Sequence, residues 1–215
     1  MTTTFTIRKR HVWQGPLSKK AAQVCRMFGL TIDRLVERMP THECRFDIRP
    51  GDVVYITGPS GSGKSVLLRA LREAAPGSES VDLAQLPLPS DRTVIDCFDT
   101  DVVTSLRTLS TVGLSGVFSI LNRPCHLSDG QKYRFRLAQA LAARKPLVFA
   151  DEFCSELDRI TAATVAFNIH KFAKRTETTF VLASSHDDIL IDLAPDVLII
   201  KDFSGPAEVI PKKLR

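Results

Sequence analysis

The sequence lacks the features that define several classes of protein. Its 215 residues include five Cys, an odd number too sparse for a disulfide scaffold, and no Cys-x-x-Cys pair for a zinc ribbon or finger. The longest uncharged run, 108–122, is shorter than the roughly 20 apolar residues of a membrane-spanning helix. The N-terminus has no apolar core followed by a cleavage site, as a secretory signal would. These absences favour a cytoplasmic protein with reduced thiols.

The overall composition is that of an ordinary globular domain. Hydrophobic residues make up 44% and charged residues 25% of the chain, and the formal net charge is +5. A charge of this size permits contact with nucleic acid or anionic lipid without arguing for either. The length allows one domain with a small appendage.

The first 43 residues differ in character from the rest. A basic, helix-like stretch at 18–39 ends at a proline, and the alternation of strands and helices begins only after it. We therefore interpret 1–43 as a basic, partly helical extension and 44–215 as the main domain.

The extension carries the basic clusters Arg8-Lys9-Arg10-His11 and Lys19-Lys20, with Trp13 nearby. Cations that contact phosphates beside an aromatic ring that stacks on bases are typical of nucleic-acid binding. A solvated basic face, a protein-binding or dimerisation arm, and a linker to another domain are alternatives.

From residue 44 onward, β-rich runs alternate with helical patterns. The predicted strands lie at 45–48, 53–57, 147–150, 179–184 and 197–201. One helical segment has an apolar stripe of Val94, Phe98, Val102, Leu106 and Leu109. A second helix, 158–175, is expected to bury Ile160, Ala163, Phe167 and Phe172. This alternation predicts an α/β fold with a mostly parallel sheet flanked by helices.

Residues 58–65 have the sequence GPSGSGKS, which matches G-x-x-x-x-G-K-[ST] between a strand and a helix. Glycines let successive amide groups turn towards phosphate oxygens, while Lys64 adds a positive charge and Ser65 offers a hydroxyl to Mg²⁺. The start of the following helix favours an anion. The motif predicts a nucleotide site formed by Gly58, Pro59, Ser60, Gly61, Ser62, Gly63, Lys64, Ser65 and Val66.

The residues after this loop indicate which kind of nucleotide-binding protein the chain is. An Asn-Lys-x-Asp guanine-binding motif is missing, which argues against a GTPase. Residues 127–131 are LSDGQ, where Ser128 and Gln131 have the spacing of a helix capping box and also form a helix start that suits an anion. The strand at 147–150 delivers Asp151 and Glu152 at its carboxyl end, where ligands bind in such sheets.

This ordered set, continued by the sequence SELD at 155–158 and by His186 after a strand, resembles the ATP-binding cassette (ABC) ATPase family. GPSGSGKS is similar to its Walker A motif, LSDGQ to its signature, LVFADE to its Walker B motif and SELD to its D-loop. The resemblance covers about 44–204. It implies a P-loop NTPase fold, a compact stand-alone soluble member, ATP and Mg²⁺ as ligands, and a head-to-tail homodimer that encloses two nucleotides.

The resemblance also implies roles for individual residues. Asp151 holds Mg²⁺ through water, Glu152 polarises the hydrolytic water as general base, and His186 contacts the γ-phosphate. Gln85 is the best match to a glutamine that contacts Mg²⁺, although an ordinary loop position is the alternative. The other implied sites are a signature that binds the second subunit's ATP (Leu127, Ser128, Asp129, Gly130 and Gln131) and a D-loop (Ser155, Leu157 and Asp158).

The sequence departs from the family pattern at several points. Asp129 stands where Gly is usual, and Phe153 and Cys154 replace Pro-Thr. A Tyr for adenine stacking is missing, so Phe28, Arg34 or Arg38 is the expected substitute. Only 20 residues, 65–84, separate Lys64 from Gln85, which predicts a reduced antiparallel β subdomain. The helical subdomain, about 86–145, is also short.

Three functions are consistent with these observations. The first is an ATPase whose ATP-driven dimerisation acts as a switch on a soluble macromolecular partner. The second is the motor subunit of a membrane transporter, with a permease as partner. The third is a weakly hydrolysing nucleotide-binding scaffold, suggested by Asp129.

Overall fold

Strands and helices alternate along the chain, in a computed structural model that describes residues 2–10, 18–31, 34 and 41–212. The regular elements, in chain order, are β1 (Thr3–Arg10), α1 (Lys19–Met27), β2 (Thr41–Ile48), β3 (Val53–Thr57), α2 (Lys64–Ala74), β4 (Ser80–Asp82), α3 (Val102–Thr111), α4 (Val117–Ile120), α5 (Asp129–Ala142), β5 (Leu147–Ala150), α6 (Arg159–Thr176), β6 (Thr179–Ala183), α7 (Leu190–Leu193), β7 (Val197–Ile200) and β8 (Glu208–Pro211). Short 3₁₀ turns lie at Gly77–Glu79, Leu83–Gln85, Ile95–Cys97 and Pro124–His126.

The main sheet has six strands in the order β4-β5-β6-β3-β7-β8. Its strands run parallel except β8, which pairs antiparallel with β7. The predicted fold class, a mostly parallel sheet flanked by helices, is confirmed. Since β3, β5 and β6 run the same way, their carboxyl ends meet at one edge, where ligands bind in such sheets.

The central strand β3 divides the core into two layers, because its side chains alternate between the faces of the sheet. Val53 and Tyr55 pack with Phe135 of α5 and Ile169 of α6. Val54 and Ile56 pack on the other side, with α2 and the strand pair β1–β2. Both faces of β3 are therefore packed against apolar side chains immediately before the loop that follows it.

The N-terminal strand belongs to this core. β1 pairs antiparallel with β2 along its whole length, and Phe5 and Ile7 are buried in the layer that contains Val54. The structure therefore differs from the predicted boundary, because residue 43 lies inside β2. The run of three cations at the end of β1 interrupts the alternation of Phe5 and Ile7 with threonines, which concealed its strand period.

The helix expected at 18–39 is shorter than predicted. α1 ends at Met27, and Gly29, at φ +62°, closes its last turn with a bond from its N–H to Arg26 O. Residues 32–33 and 35–39 of that prediction lie outside the described residues. No residue of α1 is buried.

Two predicted apolar faces are wrong in part, since Val94, Phe98 and Leu109 are buried and Phe172 packs on the core as predicted. On α6, Ile160 is 81% exposed and Phe167 50% exposed, whereas the small residues Ala162, Val165 and Ala166 face the sheet. On α3, Val102 and Leu106 are exposed and Leu109 is buried. In both helices an aspartate cap sets the start, and close packing selects the face with small or well-fitting side chains.

Candidate functional site

The loop between β3 and α2 forms an anion cradle. Gly63 is the N-cap of α2 at φ +98°, without a side chain that caps the helix, and the first turn of α2 contains no acidic residue. The first backbone N–H groups of the helix therefore have no carboxylate competitor within their own turn. An uncapped helix start of this kind suits phosphate.

Two close contacts explain glycines in the cradle. A Cβ at Gly58 would collide with the main-chain oxygen of Lys201, and one at Gly63 would collide with the imidazole of His42. His42, on β2, is buried against the loop, and sequence reasoning missed it. Only the tertiary structure brings β2 to this position.

Lys64 lies inside the cradle and is 6% exposed. Its Nζ donates hydrogen bonds to Gly58 O at 2.8 Å and Pro59 O at 3.0 Å. These bonds fold the ammonium group over the loop, so the charge sits where the helix start also favours an anion. A buried ammonium group beside an uncapped helix start suits the phosphates of a nucleoside triphosphate, and the predicted nucleotide site stays a prediction.

Two carboxylates follow β5 at the same edge of the sheet. Asp151 is partly exposed and accepts a hydrogen bond from the Glu152 N–H at Oδ1, 3.1 Å away. Glu152 is exposed and has φ +49°, a left-handed backbone that is uncommon for a residue other than glycine. The side chains of Asp151 and Glu152 therefore point in different directions, although the two residues are adjacent in sequence.

Gln85 lies in the turn that follows β4. Asp82 pairs in register with Phe149 of β5, so this turn begins beside the end of the strand that carries Asp151. Within the described ranges, no three His, Cys, Asp or Glu side chains form a metal cluster. The oxygens of Ser65, Asp151 and Gln85 are too few for a complete protein site. They fit Mg²⁺ as this ion usually binds, through one or two protein oxygens together with phosphates and water.

The loop after β6 carries His186. Its imidazole is exposed, while its main-chain oxygen accepts a hydrogen bond of 2.5 Å from the hydroxyl of Tyr55. Thr57 Oγ1 donates to Asp187 in the same loop. Burial raises the pKa of Tyr55, so its hydroxyl stays protonated at neutral pH. No pattern in the sequence indicates this contact, since Tyr55 fits an apolar strand.

The predicted capping box is confirmed at the start of α5. Ser128 Oγ accepts from the Gln131 N–H, and Gln131 Oε1 accepts from the Ser128 N–H. Asp129 is highly exposed and lies 3.4 Å from Lys132 Nζ, whereas Arg134 donates to the main-chain oxygens of Gly130 and Gly113 instead. The charge of Asp129 is therefore only weakly compensated at the protein surface.

The segment after the carboxylates touches the signature of the same chain. A Cβ at Gly130 would lie 2.9 Å from Glu156 O and 3.4 Å from Leu157 Cδ2. Asp158 caps α6 by accepting hydrogen bonds from Thr161, and these bonds lower the pKa of its carboxyl group. The structure thus gives Asp158 a structural role as well as its predicted place in the D-loop.

The basic N-terminal cluster is partly neutralised by the fold. Arg8 pairs with Glu43 at 2.7 Å, and Lys9 pairs with Glu73 at 2.6 Å. His11, Trp13 and Arg38 lie outside the described residues. Phe28 is exposed in the turn after α1, so its role in adenine stacking stays a prediction.

Comparisons with known proteins agree with this geometry. A family model described as ABC transporter matches residues 41–110. An aliphatic sulfonates import ATP-binding protein of Nocardia farcinica is 32% identical over 73% of this chain and 71% of its own length. A lipoprotein-releasing system ATP-binding protein of Novosphingobium aromaticivorans is 29% identical over 75% of this chain and 85% of its own.

The fold is shared with solved cassettes. A dimeric ATP-binding cassette in a post-hydrolysis state, bound to ADP and phosphate, matches 100% of this chain and 99% of its own, with a TM-score of 0.68 and 18% identity. Among the described residues, no helix is long and apolar enough to cross a membrane. The cradle, the carboxylates, the capped signature helix and the similarity to these relatives lead to one conclusion: the chain belongs to the ABC ATPase family, whose members bind ATP with Mg²⁺ and hydrolyse it.

Proposed function

We propose that two copies of this chain close head to tail around two ATP molecules, and that hydrolysis reopens them. The observation that carries the proposal is the buried Lys64 in an uncapped cradle, at the sheet edge where β5 presents Asp151 and Glu152. The exposed start of α5 supports it, because Ser128 lies at the surface, where its hydroxyl can also meet the γ-phosphate of a second copy. The shared fold with a dimeric cassette supports it as well.

Each residue at the sheet edge has one task in hydrolysis. Lys64 exchanges its bonds to the loop for β- and γ-phosphate oxygens. Ser65 and Asp151 would hold Mg²⁺, and Gln85 is the third candidate ligand. Neutralisation of phosphate charge is the chemistry that a bound Mg²⁺ supplies. Glu152 orients and polarises the attacking water as general base, and His186 contacts the γ-phosphate.

The second copy completes the site. Ser128 and Gly130 of the signature receive the γ-phosphate, and the D-loop, with Ser155 and Leu157, lines the same interface. Before hydrolysis the γ-phosphate joins the two surfaces; afterwards the lost contacts and charge repulsion separate them. This is a two-state equilibrium whose position depends on the nucleotide.

The partner of this switch docks on the helical subdomain. Exposed apolar side chains concentrate on two of its helices and the residue after the second: Val102, Val103 and Leu106 on α3, Val117 and Phe118 on α4, and Leu121 at the C-cap of α4. Phe118 is 93% exposed, and surface of this kind marks interaction sites. The relatives are named for import and release systems, which favours a membrane permease over a soluble macromolecule.

Size-exclusion chromatography of Glu152→Gln with and without Mg-ATP tests the switch. Loss of a positioned general base lowers the rate by about 10²–10⁴, so the variant binds ATP, hardly turns over and elutes as a dimer only with nucleotide. Glu208→Gln, an exposed carboxylate on β8, is the matched control and turns over normally. A Glu152→Gln protein that stays monomeric with saturating Mg-ATP overturns the proposal, and a wild-type protein without turnover leaves only the scaffold function.

Co-purification from membranes tests the partner. We expect the wild-type chain to be retained with a membrane protein and Phe118→Ser to lose it while keeping ATP turnover. Full turnover together with retention by soluble components alone would point to the soluble switch instead.

A further inference from the structure

The turn after the Walker B carboxylates is strained at two residues. Glu152 has φ +49° and Cys154 has φ +62°, both in the left-handed region that favours glycine. This conformation is unfavourable for a residue with a Cβ and persists only where its surroundings fix the backbone. Because Glu152 is the proposed general base, the contacts that fix this turn also fix the direction of its carboxylate.

Two of these contacts come from the turn and the strand beside it. The Phe153 N–H donates to Ala183 O of β6 at 2.8 Å. Ser155 donates to Glu152 O from its hydroxyl at 2.7 Å and from its N–H at 3.1 Å. Proline, the usual residue of the ABC family at this position, has no N–H and could not make the bond from residue 153 to Ala183 O.

The third contact comes from a different element. The Cys154 N–H donates to the hydroxyl oxygen of Tyr133, 3.1 Å away, and Tyr133 lies on α5, the helix that begins at Ser128. Burial raises the pKa of Tyr133 well above its usual value, with smaller effects of Cys154 and Tyr55. Burial also raises the pKa of the Cys154 thiol to about 12, so both groups are neutral at physiological pH.

We propose that Tyr133 is a positioning residue for hydrolysis, which holds the strained turn so that Glu152 faces the attacking water. The proposal rests on the role of Glu152 given above. In this proposal α5 links the two nucleotide sites of the dimer. Its N-terminus at Ser128 meets the nucleotide of the partner, and Tyr133, one helical turn later, holds the loop that carries Glu152 of its own protomer. A shift of α5 on dimer closure therefore changes the orientation of Glu152.

Tyr133→Phe removes the hydroxyl and keeps the ring. We expect kcat to fall about ten-fold, because a misplacement of about 1 Å costs up to 10²-fold, while the dissociation constant of ATP changes less than two-fold. Ser105→Ala is the matched control, since this hydroxyl is 1% exposed and bonded to Asp101 O at 3.0 Å in the helical subdomain. The control loses stability with kcat unchanged, and a kcat of Tyr133→Phe equal to that of the control would overturn the proposal.

A double variant separates positioning from general loosening. If Tyr133 acts through Glu152, adding Tyr133→Phe to Glu152→Gln changes the residual single-turnover rate less than two-fold. A further ten-fold loss in that background would show that Tyr133 acts elsewhere. Normal turnover by Glu152→Gln alone would instead contradict the role of Glu152 and not the contact of Tyr133.

Ser155→Ala is the second test variant if Tyr133→Phe fails to fold. It removes only the hydrogen bond from the Ser155 hydroxyl to Glu152 O. We expect the same pattern, a lower kcat with unchanged ATP binding. Nucleotide-driven dimerisation, measured with Glu152→Gln present, controls for any loss at the D-loop. An unchanged kcat in Ser155→Ala would contradict the link between this turn and Glu152.

Discussion

The hydroxyl of Tyr55 lies 2.5 Å from the main-chain oxygen of His186. Tyr55 is fully buried in the central strand, so the contact ties the loop that carries His186 to the middle of the sheet. The imidazole remains exposed while its backbone is held. This arrangement suits a side chain that must meet a phosphate at a defined place.

Tyr55→Phe removes this bond with little change of volume. We expect kcat to fall several-fold with the KM for ATP nearly unchanged, because the backbone of His186 loses its donor and the imidazole becomes less well placed. The unpaired carbonyl also destabilises the fold by about 1–3 kcal/mol. Steady-state kinetics and thermal unfolding measure the two effects, and a stability loss without any kinetic effect would refute the positioning of His186 by Tyr55.

Gly63→Ala places a methyl group at φ +98° against the ring of His42. We expect ATP binding to be lost and stability to fall by about 1–3 kcal/mol from the backbone alone. Gly77→Ala, at a glycine whose Cβ would meet open space, is the control and binds ATP normally. His42→Ala added to Gly63→Ala relieves the collision but not the backbone strain, so it restores only part of the stability; complete restoration would show that φ is unimportant here.

Asp129→Asn removes a negative charge from the signature without shortening the side chain. Since unit charges about 4 Å apart interact by about 1 kcal/mol in bulk water, dimerisation should need up to about five-fold less Mg-ATP. The measurement uses Glu152→Gln protein, with Asp47→Asn on β2 as the control. The difference should shrink in high salt, and equal midpoints for both variants would mean that Asp129 points away from the partner's phosphates.

Thiol labelling should distinguish the five cysteines. Cys44 and Cys154 are buried, and burial raises their pKa values to about 11 and about 12, so at pH 8 they are almost wholly neutral thiols. Because the thiolate is the nucleophile, labelling of Cys44 should rise with pH up to about 11, while the partly exposed Cys25 and Cys125 react first at pH 8. Mass spectrometry with the unfolded chain as reference provides the test; equal rates for all five in the folded protein would contradict the buried positions.

Several elements could be predicted because their signals are local. The strand Val53–Thr57 is a continuous apolar run, and the glycine-rich loop after it has few alternatives for backbone and chemistry. The capping box at Ser128 was recognisable because its two partners are three residues apart. In each case the physical cause lies within a few residues of chain.

Other features depend on distant partners. β1 was assigned to an extension because its pairing partner is more than thirty residues away, and β4 has only three residues, too few for a pattern. The predicted face of α6 was wrong in part because the apolar residues Ile160 and Phe167 gave the stronger pattern, while the packed face uses alanines. The contacts of Tyr55, Tyr133 and His42 join residues that the sequence separates widely.

The sequence by itself determined the chemistry of this protein, since the phosphate cradle, the paired carboxylates and the signature are short motifs whose residue types follow from the ligand they meet. Only the tertiary structure decided how those groups are aimed. The Tyr55 hydroxyl on β3 bonds to the loop of His186, and the Tyr133 hydroxyl on α5 bonds to the turn after Glu152. The His42 imidazole on β2 packs against the cradle. Each contact crosses a gap in sequence that only close packing of the sheet and its helices can bridge.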